Sequence, residues 1–529
     1  MLPTTVATFD VWEHRVLWPG PFPFPGNPFT DCLLKLTVTA PDGREFQIDG
    51  FCDAVDGSVF AVRYLPMTAG RHHLAFEFRT LDEVQTWRDD LAVADHGASG
   101  IVQAREEQFV YSASGDPFLW NSTTTYLLPG LAPPLAIKAL DRLADHGINR
   151  IRVSLTATRQ ADGGRWFEPQ VKERSDFTFR YGPWPDANPD SVTEPQWDLA
   201  RFNVDYWHRF EAILAHAQHR GIQVQVIFYT DAQEPQNYPF DRSLIGDDSD
   251  ELRYFDTAVA RLAAFANVEW CITNEWALYR PDAWVEVMGQ RLALKDPYGH
   301  LLSVHGHGHF PFLASPWSTH ALYQVWDEHG GYDWTQARRR DQEALGVTKP
   351  IVNEEFGYED HYAGPWGESR RPPARNVETR ARLAWEIAMA GGWCTTGESA
   401  ASGLGGWING LNEGDSTLFR RHQYLQMFLA RIDLARAHPE AGRVSGHAYC
   451  RSIPGELYAV YLYGGGTTVL KLDTPGRWDV TEFDPATGMW TPLVSAQALV
   501  RDASAGPGWV SPFVPFGDTR AYLIQAVNP

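Results

Sequence analysis

A helical stretch that ends on glycine and runs straight into a strand occurs twice, and it limits this chain to few architectures. Pro134–His146 places Leu135, Ile137, Leu140 and Leu143 at helical spacing, stops at Gly147, and continues as Ile148-Asn-Arg-Ile-Arg-Val-Ser-Leu155. Val204–Arg220 repeats the plan with Tyr206, Phe210, Ile213, Leu214 and Ala217, stops at Gly221, and continues as Ile222-Gln-Val-Gln-Val-Ile-Phe-Tyr229. Helix, terminal glycine, then strand is the αβ half of a parallel unit. Its repetition implies a barrel or a doubly wound sheet.

Strand candidates decide between the two. Phe118–Asn121, Arg150–Leu155, Gln223–Phe228, Val268–Thr273, Leu301–His305, His320–Val325, Pro350–Asn353 and Trp393–Thr396 make eight, with helices over Phe255–Phe265, Asp282–Leu294 and Val377–Ala390 among the spacers. No GxGxxG opens a helix, which weighs against a dinucleotide fold. The expected fold is therefore α/β, a (β/α)8 TIM barrel over residues 109–437. Trp166–Trp197, rich in Pro, Asp and Trp, is too long for a minimal βα loop and suits an active-site wall.

Both flanks read differently. Before about residue 108, short alternating runs such as Leu33–Thr39 and Val59–Tyr64 are split by turns without helices, the pattern of a β-sandwich. After about Ala437 strands return, with Leu457–Tyr463, the turn Gly464-Gly-Gly466 and Thr467–Leu472. Residues 1–108 and 438–529 are thus expected to form N-terminal and C-terminal β-sandwich domains, an organisation that 529 residues accommodate.

Bulk chemistry narrows the partners. A formal charge of -21 opposes binding to phosphate backbones and anionic membrane surfaces, so neither nucleic acid nor membrane is expected. No apolar run approaches membrane-spanning length and no export signal is evident at Met1–Asp10. Cys32, Cys52, Cys271, Cys394 and Cys450 are odd in number and lack CxxC spacing, so they read as reduced thiols in a cytoplasmic protein. Homo-oligomerisation is left open. The 21 Trp and 20 Tyr supply flat rings that can fill cores or stack on sugar faces.

The chemistry concentrates at two strand ends. Val268-Glu-Trp-Cys-Ile-Thr-Asn-Glu275 is a β-prone run that finishes on Asn274 and Glu275, and Pro350-Ile-Val-Asn-Glu-Glu355 finishes on paired acids. In α/β barrels the carboxyl ends of strands carry the chemistry. Glycosidic cleavage needs one carboxyl group to protonate the leaving oxygen and another to attack, or to activate water, on the opposite face. The plain alternative for Asn-Glu after a strand is a helix N-cap. Alternation lets only one of Glu354 and Glu355 face the axis, and Glu355 is the one expected to be catalytic. Carboxyls about 5 to 5.5 Å apart would retain anomeric configuration; about 6.5 to 9.5 Å would invert it.

Three stretches together resemble a known family: Asn267-Val-Glu-Trp-Cys-Ile-Thr-Asn-Glu-Trp276, Asp296-Pro-Tyr-Gly-His300 followed by Ser303-Val-His305, and Pro350–Glu359. They are similar to the retaining glycoside hydrolases of clan A, particularly the apiosidase-like, DUF4038-type barrels. Asn27-Pro-Phe, Asp49-Gly-Phe and Val62-Arg-Tyr-Leu-Pro66 resemble the DUF5060 sandwich that precedes such barrels, and Asp484-Pro-Ala-Thr-Gly488 the collagen-binding-type sandwich that follows them. The resemblance implies Glu275 as acid/base, Glu355 as nucleophile, Asn274 beside the acid, and Arg152 supporting the nucleophile by opposite charge. It implies that His305 and Tyr323 line the first sugar subsite. The sequence departs from the family at Glu354, where a small residue is usual, and an extra acid there suits a different substrate preference.

Trp120, Trp393, Trp326 and His307 complete the candidate sugar contacts. Trp166, Trp184, Trp276, Trp366 and Trp407 also fall at strand ends or in the following loops, and together these rings favour a carbohydrate cleft. The expected protein is a retaining, exo-acting β-glycosidase without cofactor, acting on an oligosaccharide or small glycoside. Two rivals stand beside it: a non-catalytic carbohydrate-binding barrel, and a metal-dependent hydrolase using His305, His307 and His309, three imidazoles at alternate positions.

Overall fold

Eight short parallel strands circle the centre of the computed structural model: Ser122–Thr124, Arg150–Ser154, Gln223–Ile227, Val268–Cys271, Leu302–Ser303, Ala321–Gln324, Ile351–Glu355 and Trp393–Thr396. Apart from the fifth and sixth, each pairs with its neighbour in chain order, and the first pairs with the eighth. The fifth and sixth meet at a bridge between His305 and Leu322, so the ring is nearly closed. The structure describes residues 5–20, 24–80, 83–156, 159, 173–359, 375–399, 408–412, 416–502 and 506–527.

Helices surround this sheet, and the expected glycines end them. Asn203 caps Val204–His219 by accepting from the Tyr206 N–H. Gly221 then takes φ +71°, and the Ile222 N–H returns 2.8 Å to the Ala217 carbonyl. Gly147 does the same after Pro133–Asp145, with Ile148 N–H 3.0 Å from the Leu143 carbonyl. A side chain at either glycine would be strained there. The expected helix at Phe255–Phe265 begins earlier, at Ser249, because Asp248 accepts from the Asp250 and Glu251 N–H groups.

Two helices were not anticipated. Tyr332–Leu345 buries Thr335, Arg339 and Gln342 rather than an apolar stripe. Thr417–Leu429 buries Leu418, Phe419, Leu425, Phe428 and Leu429. The first strand is also displaced: Phe118–Asn121 lies before it, with Phe118 and Trp120 packed beneath the ring beside Phe109 and Tyr111.

The barrel interior is ionic. Arg150 donates to both oxygens of Glu269 at 2.7 Å and to both of Glu354 at 2.8 and 3.3 Å, all with fully buried side chains. Its guanidinium lies 3.8 Å from the Trp120 ring centroid. Burial would raise the Glu269 carboxyl, but Arg150 outweighs it and holds that group down at about 2. Breaking such a pair by removing one partner costs about 3–5 kcal/mol, because an uncompensated buried charge remains.

The flanks are β-rich. Val6–Ala7, Val84–Ala94, Gly70–Thr80, Cys32–Thr39 and Glu45–Asp49 form one N-terminal sheet, and Trp12–Leu17, Val59–Tyr64 and Phe51–Cys52 another. C-terminal to the barrel, a six-stranded sheet and a three-stranded one share a core that includes Tyr458, Val460, Trp478, Trp509 and Ile524. The N-terminal sheets grip the outer helices through charge. Arg63 donates to Glu211 at 2.9 Å, Arg261 to Asp53 at 2.8 Å, and Phe51 lies under both guanidiniums. Asn27 donates to the Ala200 carbonyl at 2.7 Å.

Candidate active site

Past Cys271 the chain stays in step with the third strand for three more residues. The Asn274 N–H donates to the Tyr229 carbonyl at 2.9 Å, and Thr273 Oγ1 reaches the same oxygen at 3.1 Å. Glu275 then adopts φ 52°, ψ 47°, a left-handed conformation that costs a residue with a side chain about 1–3 kcal/mol. It precedes the short turn Trp276–Leu278, yet its side chain makes no capping hydrogen bond. Capping is therefore not its role. The turn is held by Trp276, fully buried and donating from Nε1 to Asp282 Oδ1 at 2.8 Å. Gly306 permits this, since a Cβ there would lie 1.8 Å from the Trp276 ring.

Burial, then the charge of Glu355, then that of Asp231 push the Glu275 carboxyl up to about 8. A hydrogen bond with the Gln324 side chain and the more distant Arg152 charge only partly oppose this. At neutral pH Glu275 is mostly a neutral acid with a proton to give.

Glu355, the last residue of the seventh strand, has a different environment. Tyr126 donates to its Oε1 at 2.5 Å and Arg152 Nη1 to the same oxygen at 3.0 Å. His305 Nε2 stands 3.7 Å from it. Arg152 Nη2 donates to Asn274 Oδ1 at 2.8 Å, so one guanidinium orients the amide beside Glu275 and one oxygen of Glu355. Burial pushes the Tyr126 hydroxyl far up, which keeps it a donor. Tyr358 joins through its hydroxyl, 3.4 Å from Arg152 Nη1 and 3.2 Å from Thr124 Oγ1.

Glu354 is not a mouth residue. It is fully buried among Arg150, Thr395 and Arg152, with Thr395 Oγ1 donating at 2.5 Å and Arg152 Nε in ion-pair contact at 3.2 Å while donating its hydrogen bond to Gln225. Adjacent acids thus both reach Arg152, which strict alternation did not foresee. Glu354 acts from inside the barrel and Glu355 from its rim.

His305 is fully buried, and burial followed by the Arg152 charge pushes its imidazole well down, so it is neutral. Neither of its ring nitrogens has a hydrogen-bond partner among the described residues. His307 is half-buried, and His309 is exposed beside Trp276. Among the described residues no group of three or more His, Cys, Asp or Glu is arranged to hold a metal ion.

Other expected contacts are placed elsewhere. Tyr323 faces outward against Phe310 and Trp334, ring centroids 5.8 and 5.0 Å away. A register shift between Tyr323 and Gln324 sets Gln324 opposite Glu355, and it is Gln324 that meets Glu275. Trp120 and Trp393 lie at the amino ends of their strands: Trp120 under Arg150, Trp393 donating to the Glu107 carbonyl at 3.2 Å. They floor the barrel, far from its mouth. Trp326 does stand at the mouth, half-buried, 6.4 Å from Tyr358 and under Arg375. Trp184 packs into the core against Phe240 and Tyr254. Trp166, Trp366 and Trp407 lie outside the described residues. Tyr126, Gln324 and Tyr358 were missed. Placing the first strand at Ser122–Thr124 would have put Tyr126 just past its carboxyl end; nothing in the sequence marks the shift at Gln324.

A family model described as apiosidase-like, catalytic domain matches residues 104–397, and one described as a domain of unknown function, DUF5060, matches residues 15–79. A search of curated proteins finds no match. Among solved structures, a candidate glycoside hydrolase from Bacteroides vulgatus superposes with a TM-score of 0.79 at 19% identity, covering 99% of this chain and 100% of its own. A family 5 glycoside hydrolase from the same organism superposes with a TM-score of 0.58 at 14% identity, covering 81% of this chain and 94% of its own. These likenesses establish the shared fold across almost the entire length. With the catalytic-domain match spanning more than half of its 529 residues, the chain belongs to the apiosidase-like family and is a glycoside hydrolase.

Proposed function

We propose that this enzyme is a retaining β-glycosidase in which Glu355 is the nucleophile and Glu275 the acid/base. The observation that carries this reading is the opposite treatment of two carboxyl groups at one barrel mouth. Burial and the like charges of Glu355 and Asp231 outweigh Arg152 at Glu275, while Glu355 receives hydrogen bonds from Tyr126 and Arg152. Acids in such unlike surroundings divide the roles of proton donor and charged partner.

Glu275 protonates the glycosidic oxygen as Glu355 attacks the anomeric carbon. The bonds from Tyr126 and Arg152 fall on Oε1, so Oε2 is the attacking atom. Glu275, now charged, takes a proton from water that opens the glycosyl-enzyme. Asn274, held by Arg152, turns its amide toward the sugar hydroxyl beside the broken bond, and His305 and His307 bind other hydroxyls. Side chains of Glu275 and Glu355 that are under 10% exposed favour a terminal sugar over a chain running through, which supports exo-action on an oligosaccharide or small glycoside. The family's name makes a terminal apiosyl residue the first to try. Residues 1–108 and 438–529 are taken as sandwich domains flanking a barrel of residues 109–437.

Proton NMR of the first product released from a hydrolysed aryl glycoside tests the mechanism. Retained configuration is expected; inversion would overturn it.

A further inference from the structure

Extending the pairing of the third and fourth strands brings a second acid opposite Glu275. Ile227 pairs with Cys271, and the bonds from Asn274 and Thr273 to the Tyr229 carbonyl show that the chains remain in step beyond it. Four residues on, Asp231 falls beside Glu275. Both take left-handed backbone, φ 49° and 52°, and they are two of only five residues other than glycine to do so among the described residues. The turn at Asp231 is fixed: its carbonyl accepts from the Glu234 N–H at 3.1 Å and from Asn237 Nδ2 at 3.2 Å. Thr230 before it shares a 2.6 Å bond with Ser154. Two strained acids held side by side at a catalytic rim are a placement that turn-making alone does not need.

We propose, resting on the hydrolase reading above, that Asp231 is a positioning residue for the proton donor, a carboxylate set beside Glu275 so that the proton stays in place until the glycosidic oxygen takes it. Its charge reaches Glu275 as a like charge and disfavours ionisation there. Glu355 on the seventh strand acts in the same direction and Arg152 on the second against it. Gln324 on the sixth is uncharged, and His305 and His307 after the fifth are held toward their neutral forms by burial. When a substrate covers Glu355 and it becomes a glycosyl ester, its charge is lost. Asp231 is then the remaining like charge on Glu275, as that residue turns from acid to base.

Asp231→Asn and Asp231→Gly separate charge from turn, because both replacements tolerate left-handed backbone. Enzyme carrying 13C-labelled glutamate carboxyls is titrated by NMR, with the Glu275 resonance identified by its loss in Glu275→Gln. In both variants the midpoint of that resonance is expected to fall by about one pH unit. The alkaline limb of kcat/KM on an aryl glycoside should move the same way. An unmoved midpoint in either folded variant overturns the proposal, since a turn residue without an electrostatic role would leave it so. Undiminished turnover by Glu275→Gln would instead sink the assignment of Glu275 as acid/base, and the titration would still report on Asp231.

Discussion

Tyr126 donates a 2.5 Å hydrogen bond to Oε1 of Glu355, joining the loop after the first barrel strand to the end of the seventh. Tyr126→Phe keeps the ring and removes only this donor. A hydrogen bond to a charged group is worth about 1.5–3 kcal/mol, so kcat/KM is expected to fall about 10- to 150-fold. Because the bond weakens when Glu355 gives up its charge to the anomeric carbon, the variant should also change the balance between glycosylation and hydrolysis of the intermediate. Burst kinetics with a good leaving group reads that balance.

Glu275 makes the folded protein less stable at alkaline pH. Its folded-state pKa, about 8, lies above that of an unfolded glutamate. Its favourable contribution is therefore complete below about pH 4.3 and is lost as the pH rises to about 8. Glu275→Gln is expected to be more stable than wild type at pH 8.5, on the order of 5 kcal/mol, and nearly equal to it at pH 4. Chemical denaturation at the two pH values checks this.

Gly306 gives the Trp276 ring the space it occupies, as a Cβ there would overlap the ring at 1.8 Å. Gly306→Ala is expected to cost about 1–3 kcal/mol of stability by overpacking. Because Trp276 follows Glu275 directly, kcat should fall as well. Thermal unfolding and turnover of the same preparation measure both.

Trp120 and Trp393 separate the barrel's floor from its mouth. Trp120→Leu removes the ring stacked on Arg150 and is expected to lower stability by about 2–4 kcal/mol. KM at a permissive temperature should remain unchanged. A several-fold rise in KM would place Trp120 at the sugar instead.

Much of the barrel was legible because its signals are local. Glycines 147 and 221 ended helices as their positions implied, and the placing of Glu355 at a strand end, and of Asn274-Glu275 just past a strand that stops at Cys271 rather than Thr273, followed from short apolar runs that stop in acid. Arg152 came from resemblance and Asn274 from its place beside the acid, and the two meet each other. What could not be read depended on register and depth. Tyr323 and Gln324 are neighbours whose roles are exchanged by one shift in pairing, and no residue type announces it. Glu354 is indistinguishable from Glu355 in sequence, but Arg150 draws it inward. The helix Tyr332–Leu345 escaped notice because it buries the polar residues Thr335, Arg339 and Gln342 instead of an apolar stripe.

The retaining mechanism requires that Glu355 form a covalent bond to the sugar. Wild-type enzyme is to be inactivated with a 2-deoxy-2-fluoro glycosyl donor of a sugar it hydrolyses, digested, and sequenced by mass spectrometry. The glycosyl mass is predicted on Glu355 and absent in Glu355→Gln. A label on another residue, or an unlabelled enzyme that releases product of inverted configuration, would contradict it.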